Sequence, residues 1–191
     1  MSKVTIIGGG NMGKAISELV TKGGNTVEIL TRSDSTTAVT GEIVVLAVPY
    51  GALDEIVAQR GDELAGKVVV DITNPLDFQT FDSLVVPADG SAAAELAAKL
   101  PQAKVVKAFN TNFAATLGTG KVGQNTTTVL VAGDDADAKQ GVVSFVKAAG
   151  LNALDAGSLK RARELEAIGF TQLVLAASEQ IGWTGGFAVV A

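Results

Sequence analysis

The sequence predicts an α/β fold, a mostly parallel sheet with helices on both faces. Three observations carry that expectation. Short apolar, β-branched runs alternate with stretches of helical periodicity, the pattern of strands joined by crossover helices. The chain is rich in alanine, glycine and valine and poor in aromatics, which suits a buried parallel sheet covered by small-residue helices. The first apolar run enters glycines at the spacing G-x-G-x-x-G and then a helix, the order of a nucleotide-binding βαβ unit.

The first strand is Val4–Ile7. Gly8 permits a tight turn off it, Gly10 leaves room for a pyrophosphate at the backbone, and Gly13 lets the helix lie close to the strand. The helix spans Asn11–Lys22, with Ala15, Ile16, Leu19 and Val20 on one face, and Gly23-Gly24-Asn25 stops it. Its free N-terminal amides, Asn11 and Met12 among the first, form a site for phosphate. The second strand is Thr26–Leu30, and a polar turn, Thr31 to Thr37, follows. A doubly buried strand reads over Ile43–Val48 and Pro49 ends it. Only twelve residues separate Leu30 from Ile43, so the peripheral third strand of a Rossmann-type sheet is either missing or supplied later by the chain.

A helix is expected over Tyr50–Gln59, a strand over Val68–Ile72, and irregular chain over Asp77–Asp89. Then come an alanine-rich helix at Ser91–Leu100, closed by Pro101, and strands at Lys104–Ala108 and Thr126–Ala132. A helix over Asp134–Ala149 takes Asp134 as its N-cap with Asp137 three residues on, and a short strand lies at Asn152–Asp155. The last helix runs from about Ser158 to Gln180. It carries two apolar stripes, one of Phe170, Leu173, Val174, Ala177 and Ile181, the other of Leu165, Ile168 and Leu175. One side meets the sheet; the other needs a partner subunit, a ligand or the chain's own tail. The whole reads as a single dinucleotide-binding, Rossmann-type domain over 1–191, shortened after the second strand, with 157–191 as a small C-terminal helix and tail.

Composition narrows the function. Among 191 residues there is no cysteine and no histidine, which removes disulfides, thiolate nucleophiles, Cys- and His-based metal sites and the commonest neutral-pH acid or base. The net charge of −5 and the lack of a basic run argue against nucleic acid. No apolar run approaches the roughly 18 residues of a membrane span. The N-terminus enters a strand at once with no signal peptide, so a soluble, cytoplasmic protein is expected.

The residue after the second strand chooses the dinucleotide. Counting from the first glycine lands on Glu28, but Glu28 lies inside the strand. The strand end offers Thr31, Arg32 and Ser33: a planar guanidinium and two hydroxyls suited to a 2′-phosphate, hence NADP. Asp34 as a ribose acid, which would favour NAD, is the counter-reading.

The segments G-G-G-N-M-G-K-A (8–15), T-R-S (31–33), V-L-A-V-P-Y (45–50), D-I-T-N-P-L (71–76), S-A-A-A-E-L (91–96), V-V-K-A-F-N-T (105–111), V-A-G-D-D (131–135) and D-A-G-S-L (155–159), with Arg163 to Glu166, resemble the NADPH:coenzyme F420 oxidoreductases and their bacterial relatives. The resemblance implies a Rossmann domain with a small C-terminal extension and NADP at the glycine turn and Thr31-Arg32-Ser33. It also implies a homodimer, and hydride transfer between nicotinamide and a deazaflavin (F420) or flavin ring. The segment after the second strand is shorter than in the full-length archaeal type, and any role given to a histidine after Val106 passes to Asn110 or vanishes.

Ligands of open α/β sheets lie beyond the strands' carboxyl ends. Ala47, Val48 and Pro49 would flank the adenosine half, while Asn74-Pro75 and Asn110-Thr111 mark where the nicotinamide would fall. Each of those two pairs also reads as an ordinary strand-ending turn or cap. Lys107 inside a strand is either an edge residue or an electrostatic aid near the cofactor. Reducing a ketone needs a proton donor, for which only Lys107, Tyr50, Lys160 or a carboxylate is available; a flavin-type ring needs mainly stacking and orientation. Trp183, Gly185, Gly186 and Phe187 form an aromatic tail that would cover an acceptor ring, pack on a second subunit or fill a surface groove. Three functions stand: hydride transfer to F420 or a flavin-like acceptor, reduction of a small imine or carbonyl compound, and non-enzymatic NADPH sensing.

Overall fold

A computed structural model describes residues 2–190. In chain order the main elements are β1 (Lys3–Ile7), α1 (Asn11–Lys22), β2 (Thr26–Leu30), β3 (Ile43–Leu46), α2 (Leu53–Leu64), β4 (Val68–Asp71), α3 (Ala92–Lys99) and β5 (Lys104–Lys107). After these come α4 (Ala114–Thr119), a small hairpin β6 (Lys121–Val122) and β7 (Asn125–Thr126), β8 (Thr128–Gly133), α5 (Ala136–Ala148), β9 (Asn152–Gly157) and α6 (Ala162–Ala177).

Seven strands form one sheet in the order β2-β1-β3-β4-β5-β8-β9. The first five are parallel; β8 joins β5 antiparallel and β9 continues parallel to β8. After β5 the chain stays at the sheet's carboxyl end, passing through α4 and the hairpin, so β8 enters from that end. No strand lies outside β2 among the described residues, so the peripheral third strand is missing rather than supplied later.

Alternation along each strand builds two cores. Val4 and Ile6, Ile43 and Val45, Val70 and Val106 face a layer closed by Ile16 and Val20 of α1 and Val142 and Val146 of α5. Ile7, Val44, Leu46, Val69 and Val105 face the other layer with Leu53 and Leu64 of α2 and Leu96 of α3. Such double burial is why these strands read as unbroken apolar runs.

Several expected boundaries move. β3 pairs only to Leu46, and α2 runs on to Leu64 after a one-turn 3-10 start at Tyr50. The N-cap of α5 is Asp135, whose Oδ1 accepts from the Ala138 amide at 2.8 Å. Asp134 instead accepts from the Leu159 amide at 2.9 Å, so a long-range bond takes the first aspartate and the helix starts one residue later. The last helix proper begins at Ala162, after a 3-10 turn, and ends at Ala177. There the Ser178 hydroxyl donates back to the Val174 carbonyl, and Glu179 takes the left-handed φ of 60°.

The packed face of α6 is neither predicted stripe. It is Ala162, Leu165, Glu166, Gly169, Gln172 and Ala176, with Ile168 left exposed and Phe170, Leu173 and Val174 half-buried. Gly169 explains the approach: a Cβ there would lie 2.2 Å from Asn74 Oδ1. Lys107 is no edge residue. β8 covers its flank and it is 0% exposed, with Nζ 2.9 Å from Asp71 Oδ2 and 2.8 Å from Glu166 Oε1. Glu166 also accepts from the Ala92 amide at 2.9 Å, so this buried triad ties α6 to the sheet and to the start of α3. Burial raises the Glu166 carboxyl above its ordinary value, and Lys107 partly offsets that.

Candidate functional site

The glycine turn is built by backbone contact. Gly8 sits at φ +120°, and a Cβ there would fall 2.1 Å from the Ala47 carbonyl oxygen; one on Gly13 would fall 2.0 Å from the Gly8 oxygen. These two glycines serve the fold, since neighbouring backbone occupies the space of any side chain. Gly10 differs: nothing lies within 4 Å of its would-be Cβ. It opens α1 without a side-chain cap, which leaves the first amides of that helix for a ligand, and Asn11 and Met12 line a neighbouring cleft. The residues present therefore fit a pyrophosphate. Ala47 flanks the turn from the end of β3, with Val48 beside it and Pro49 opening the 3-10 turn that leads into α2.

At the end of β2, Thr31 to Asp34 close on themselves. Asp34 Oδ2 accepts from the Thr31 amide at 2.8 Å and from its hydroxyl at 2.7 Å, and the Thr31 and Ser33 hydroxyls lie 2.7 Å apart. The Thr31 amide, followed by its hydroxyl, holds the Asp34 carboxyl below its ordinary value. That oxygen is engaged by its own turn, which weighs against Asp34 as a ribose acid. Arg32 is exposed and stands outside this hydrogen-bond network. Glu28 is structural: its Oε1 accepts from the Thr5 and Thr40 hydroxyls, each at 2.6 Å.

Further along the strand ends lies a cleft of about 410 Å³. Asn11 and Met12 of α1 form one wall, Ile72, Asn74 and Asn110 the floor, and Phe113, Leu173 and Trp183 the far side. Trp183 packs on Phe113 with ring centroids 5.1 Å apart, which brings the tail to the cleft. The two asparagines form one unit. Asn74 Nδ2 donates to the Asn110 carbonyl at 2.8 Å; Asn110 Nδ2 donates to Asn74 Oδ1 at 2.9 Å and to the Leu165 carbonyl at 2.8 Å. Both groups of the Asn74 amide are thus spent on Asn110, and Asn110 Oδ1 is left buried and unpartnered. Pro75 and Thr111 do not line the cleft: the Pro75 carbonyl accepts from the Val85 amide at 2.7 Å, and Thr111 is buried.

Asn112 and Phe113 also line the cleft, and the sequence reading assigned them no role. Asn112 Nδ2 donates to the Thr128 carbonyl at 3.0 Å, and its Oδ1 too is buried without a partner. The available signal is the polar run Asn110-Thr111-Asn112 after β5, which follows Phe109. Phe109 takes φ +63°, a left-handed conformation costing about 1–3 kcal/mol in a bulky residue, held by its stack on Phe145 at 6.0 Å.

The candidate proton donors all lie elsewhere. Lys107 is sealed in its triad and donates to the Thr73 carbonyl at 2.6 Å. The Tyr50 hydroxyl donates to Glu95 at 2.7 Å in a separate small pocket, and burial followed by that bond pushes its pKa up to about 12. Lys160 is exposed on the turn before α6. Among the described residues, no acid or base lines the cleft, no cluster of acidic side chains has the makings of a metal site, and no helix is long and apolar enough to cross a membrane.

Known proteins resemble this chain in sequence and fold. The profile of the family described as "NADP oxidoreductase coenzyme F420-dependent" matches residues 27–75. The F420-dependent NADP reductase of Methanocaldococcus jannaschii is 32% identical over 159 residues, covering 81% of this chain and 71% of the archaeal protein. The metalloreductase STEAP3 of Rattus norvegicus is 31% identical over 181 residues, and the chain spans only 36% of that protein's length. A crystal structure of a candidate F420-dependent NADP-reductase from Arthrobacter sp. FB24 superposes with a TM-score of 0.86 at 25% identity, covering 100% of both chains.

Proposed function

The chain belongs to the F420-dependent NADP reductase family and is an NADP-dependent oxidoreductase, and from that premise we propose that its hydride partner is a deazaflavin such as F420 or a flavin-like ring. The observation that carries this reading is the cleft without an acid. A ketone or imine needs a proton delivered as it is reduced, whereas a flavin-type ring exchanges protons with water and needs stacking and orientation. The cleft offers Trp183 and Phe113 as aromatic walls and no group to deliver a proton.

NADPH, when bound, supplies the hydride. The chain's own residues divide the binding along the sheet edge. Arg32, which is exposed and outside the turn's own network, takes the 2′-phosphate at the end of β2, and the Thr31 and Ser33 hydroxyls join it by turning from Asp34 and from each other. Gly10, Asn11 and Met12 take the pyrophosphate at the start of α1, with Ala47, Val48 and Pro49 beside the adenosine half. Asn110 Oδ1 is the acceptor for the nicotinamide carboxamide, and Asn74 fixes the orientation of the Asn110 amide. From β2 to β5 the strand spacing spans about 19 Å, so one extended dinucleotide reaches all these groups. The fold acts as one NADP-binding domain over 1–191, with 157–191 supplying the acceptor side. A cytoplasmic homodimer completes this reading, joined through the exposed part of α6 at Ile168 and its half-buried neighbour Leu175.

A carbonyl or imine reductase built on Lys107 is disfavoured, because that ammonium is buried, doubly ion-paired and outside the cleft. Anaerobic NADPH oxidation with F420, FMN, FAD and a ketone panel in parallel tests the proposal. Turnover with a deazaflavin or flavin is expected; turnover of ketones alone overturns it, and tight NADPH binding with no turnover favours a sensor. Arg32→Ala should weaken NADPH about ten-fold or more, the loss of a charged hydrogen-bonding partner, while changing NADH by at most about two-fold.

A further inference from the structure

We propose that Arg60 is a positioning residue that sets the preference for a 2′-phosphate by clamping the turn that presents Arg32. The proposal rests on the reading that Arg32 receives that phosphate.

Arg60 lies on α2 and is 4% exposed, although nothing in its sequence setting marks it for burial. Its guanidinium spans the turn. Nη2 donates to the Asp34 carbonyl at 2.6 Å and Nη1 to the Thr37 carbonyl at 2.8 Å. Nη1 also lies 3.3 Å from Glu63 Oε1, and Glu63 Oε2 accepts from the Val39 amide at 2.7 Å. Two side chains one helical turn apart thus hold the loop at three places. Asp34, the first of them, carries the Thr31 amide and hydroxyl on its own carboxylate. A continuous chain of contacts runs from Arg60 through Asp34 to Thr31, and Arg32 lies inside it.

Further anchors lie only at the loop's far end, where Val39 is buried and Thr40 donates to Glu28; the turn from Thr31 to Thr37 has little besides the clamp and its own bonds. Its own backbone contributes the Asp34-to-Thr31 and Thr37-to-Asp34 bonds, each 3.0 Å, and most of its residues are exposed. Released from the clamp, the turn samples other shapes, and a phosphate must reorder it on binding. That ordering cost falls on a 2′-phosphate held by Arg32 and not on a ribose hydroxyl. Lysine cannot replace arginine fully, because a single ammonium does not match the planar fork that reaches two carbonyls at once.

The test measures dissociation constants of NADPH and NADH, and displacement by 2′,5′-ADP and 5′-AMP. The variants are Arg60→Met, Arg60→Lys, Arg32→Ala and the Arg32→Ala/Arg60→Met double. Melting temperatures are taken throughout. Arg60→Met is expected to weaken NADPH and 2′,5′-ADP about ten-fold and leave NADH and 5′-AMP within about two-fold, with Arg60→Lys in between. The double variant should bind NADPH no worse than Arg32→Ala, since both act on one contact. Equal weakening of both dinucleotides, no weakening of either, or additive effects in the double variant overturns the proposal. If Arg60→Met does not fold, the NADPH to NADH ratio of Arg60→Lys decides in the same way. Arg32→Ala without effect on NADPH sinks the phosphate reading itself, a result distinct from an unchanged ratio in Arg60→Met alone.

Discussion

Gly10 and Gly13 stand three residues apart in one motif, and the structure gives them opposite duties. A Cβ at Gly13 would lie 2.0 Å from the Gly8 carbonyl oxygen and 3.1 Å from its carbon, both backbone atoms of the turn. Neither can swing aside as a side chain does, so α1 must move away from β1. Overpacking of this kind costs about 1–3 kcal/mol, and a backbone collision belongs at the upper end. For a chain of this size, 3 kcal/mol lowers Tm by roughly 6–12 °C. Gly10→Ala meets nothing within 4 Å, and its φ of −73° and ψ of −173° suit any residue. Replacing a glycine N-cap by alanine costs at most about 1 kcal/mol, and the stiffer unfolded chain returns about 0.4–1 kcal/mol. Its Tm should therefore stay within about 2 °C of the unsubstituted protein, while the methyl stands where the pyrophosphate must approach. A loss of NADPH affinity of about ten-fold or more is expected. Thermal melts and NADPH titrations of both variants check this. Gly10→Ala binding NADPH normally, or melting as early as Gly13→Ala, would refute the reasoning.

Lys107→Met leaves Asp71 and Glu166 buried without their counter-charge, so it should cost about 3–5 kcal/mol in a urea or thermal melt; an unchanged melt would mean that the triad is not what ties α6 down. Burial pushes the Glu28 carboxyl up, but the hydroxyls of Thr40 and Thr5, then the Thr40 amide and Lys3, more than offset it and bring its pKa from 4.5 to about 2. Its folded pKa is depressed, so its stabilisation is present above about pH 4.5 and lost as pH falls toward 2. Glu28→Gln should therefore lose less stability over that window than the parent in acid melts. Trp183→Ala should raise the KM for the ring acceptor roughly 2–10-fold, the worth of an aromatic contact, and leave NADPH binding unchanged in titrations.

The legible parts of the molecule are those whose causes are local. β1 and β3 to β5 announce themselves because both faces are buried, the edge strand β2 because its short β-branched run lies between two turns, and the glycine turn because its spacing is itself the geometry. Ends are less legible: the α5 cap passed from Asp134 to Asp135 because the Leu159 amide, distant in sequence, claimed the first aspartate. Lys107 looked anomalous in a strand, and only the fold brings Asp71 from β4 and Glu166 from α6 to its ammonium. Asn74 and Asn110 were visible as strand-end asparagines, but their division of labour was not. The return of α6, with Gly169 against Asn74 and the Leu165 carbonyl on Asn110, decides which amide is spent and which oxygen is left unpartnered. Arg60 had no signal at all, since in sequence it is one more arginine on a helix.

The reading that hydride passes to a ring in the cleft of Asn110 and Trp183 meets its most direct test in an isotope experiment. NADPH carrying deuterium at the transferring position of its nicotinamide is oxidised anaerobically by the protein in the presence of F420, and in parallel with FMN. The label should appear on the reduced F420 ring with no dilution by solvent hydrogen, and Trp183→Ala should slow the transfer. Reduced F420 carrying solvent hydrogen at the ring carbon, or no oxidation of NADPH with either ring, would contradict the account; with FMN only the oxidation of NADPH is read, because a hydride delivered to a flavin nitrogen exchanges with water.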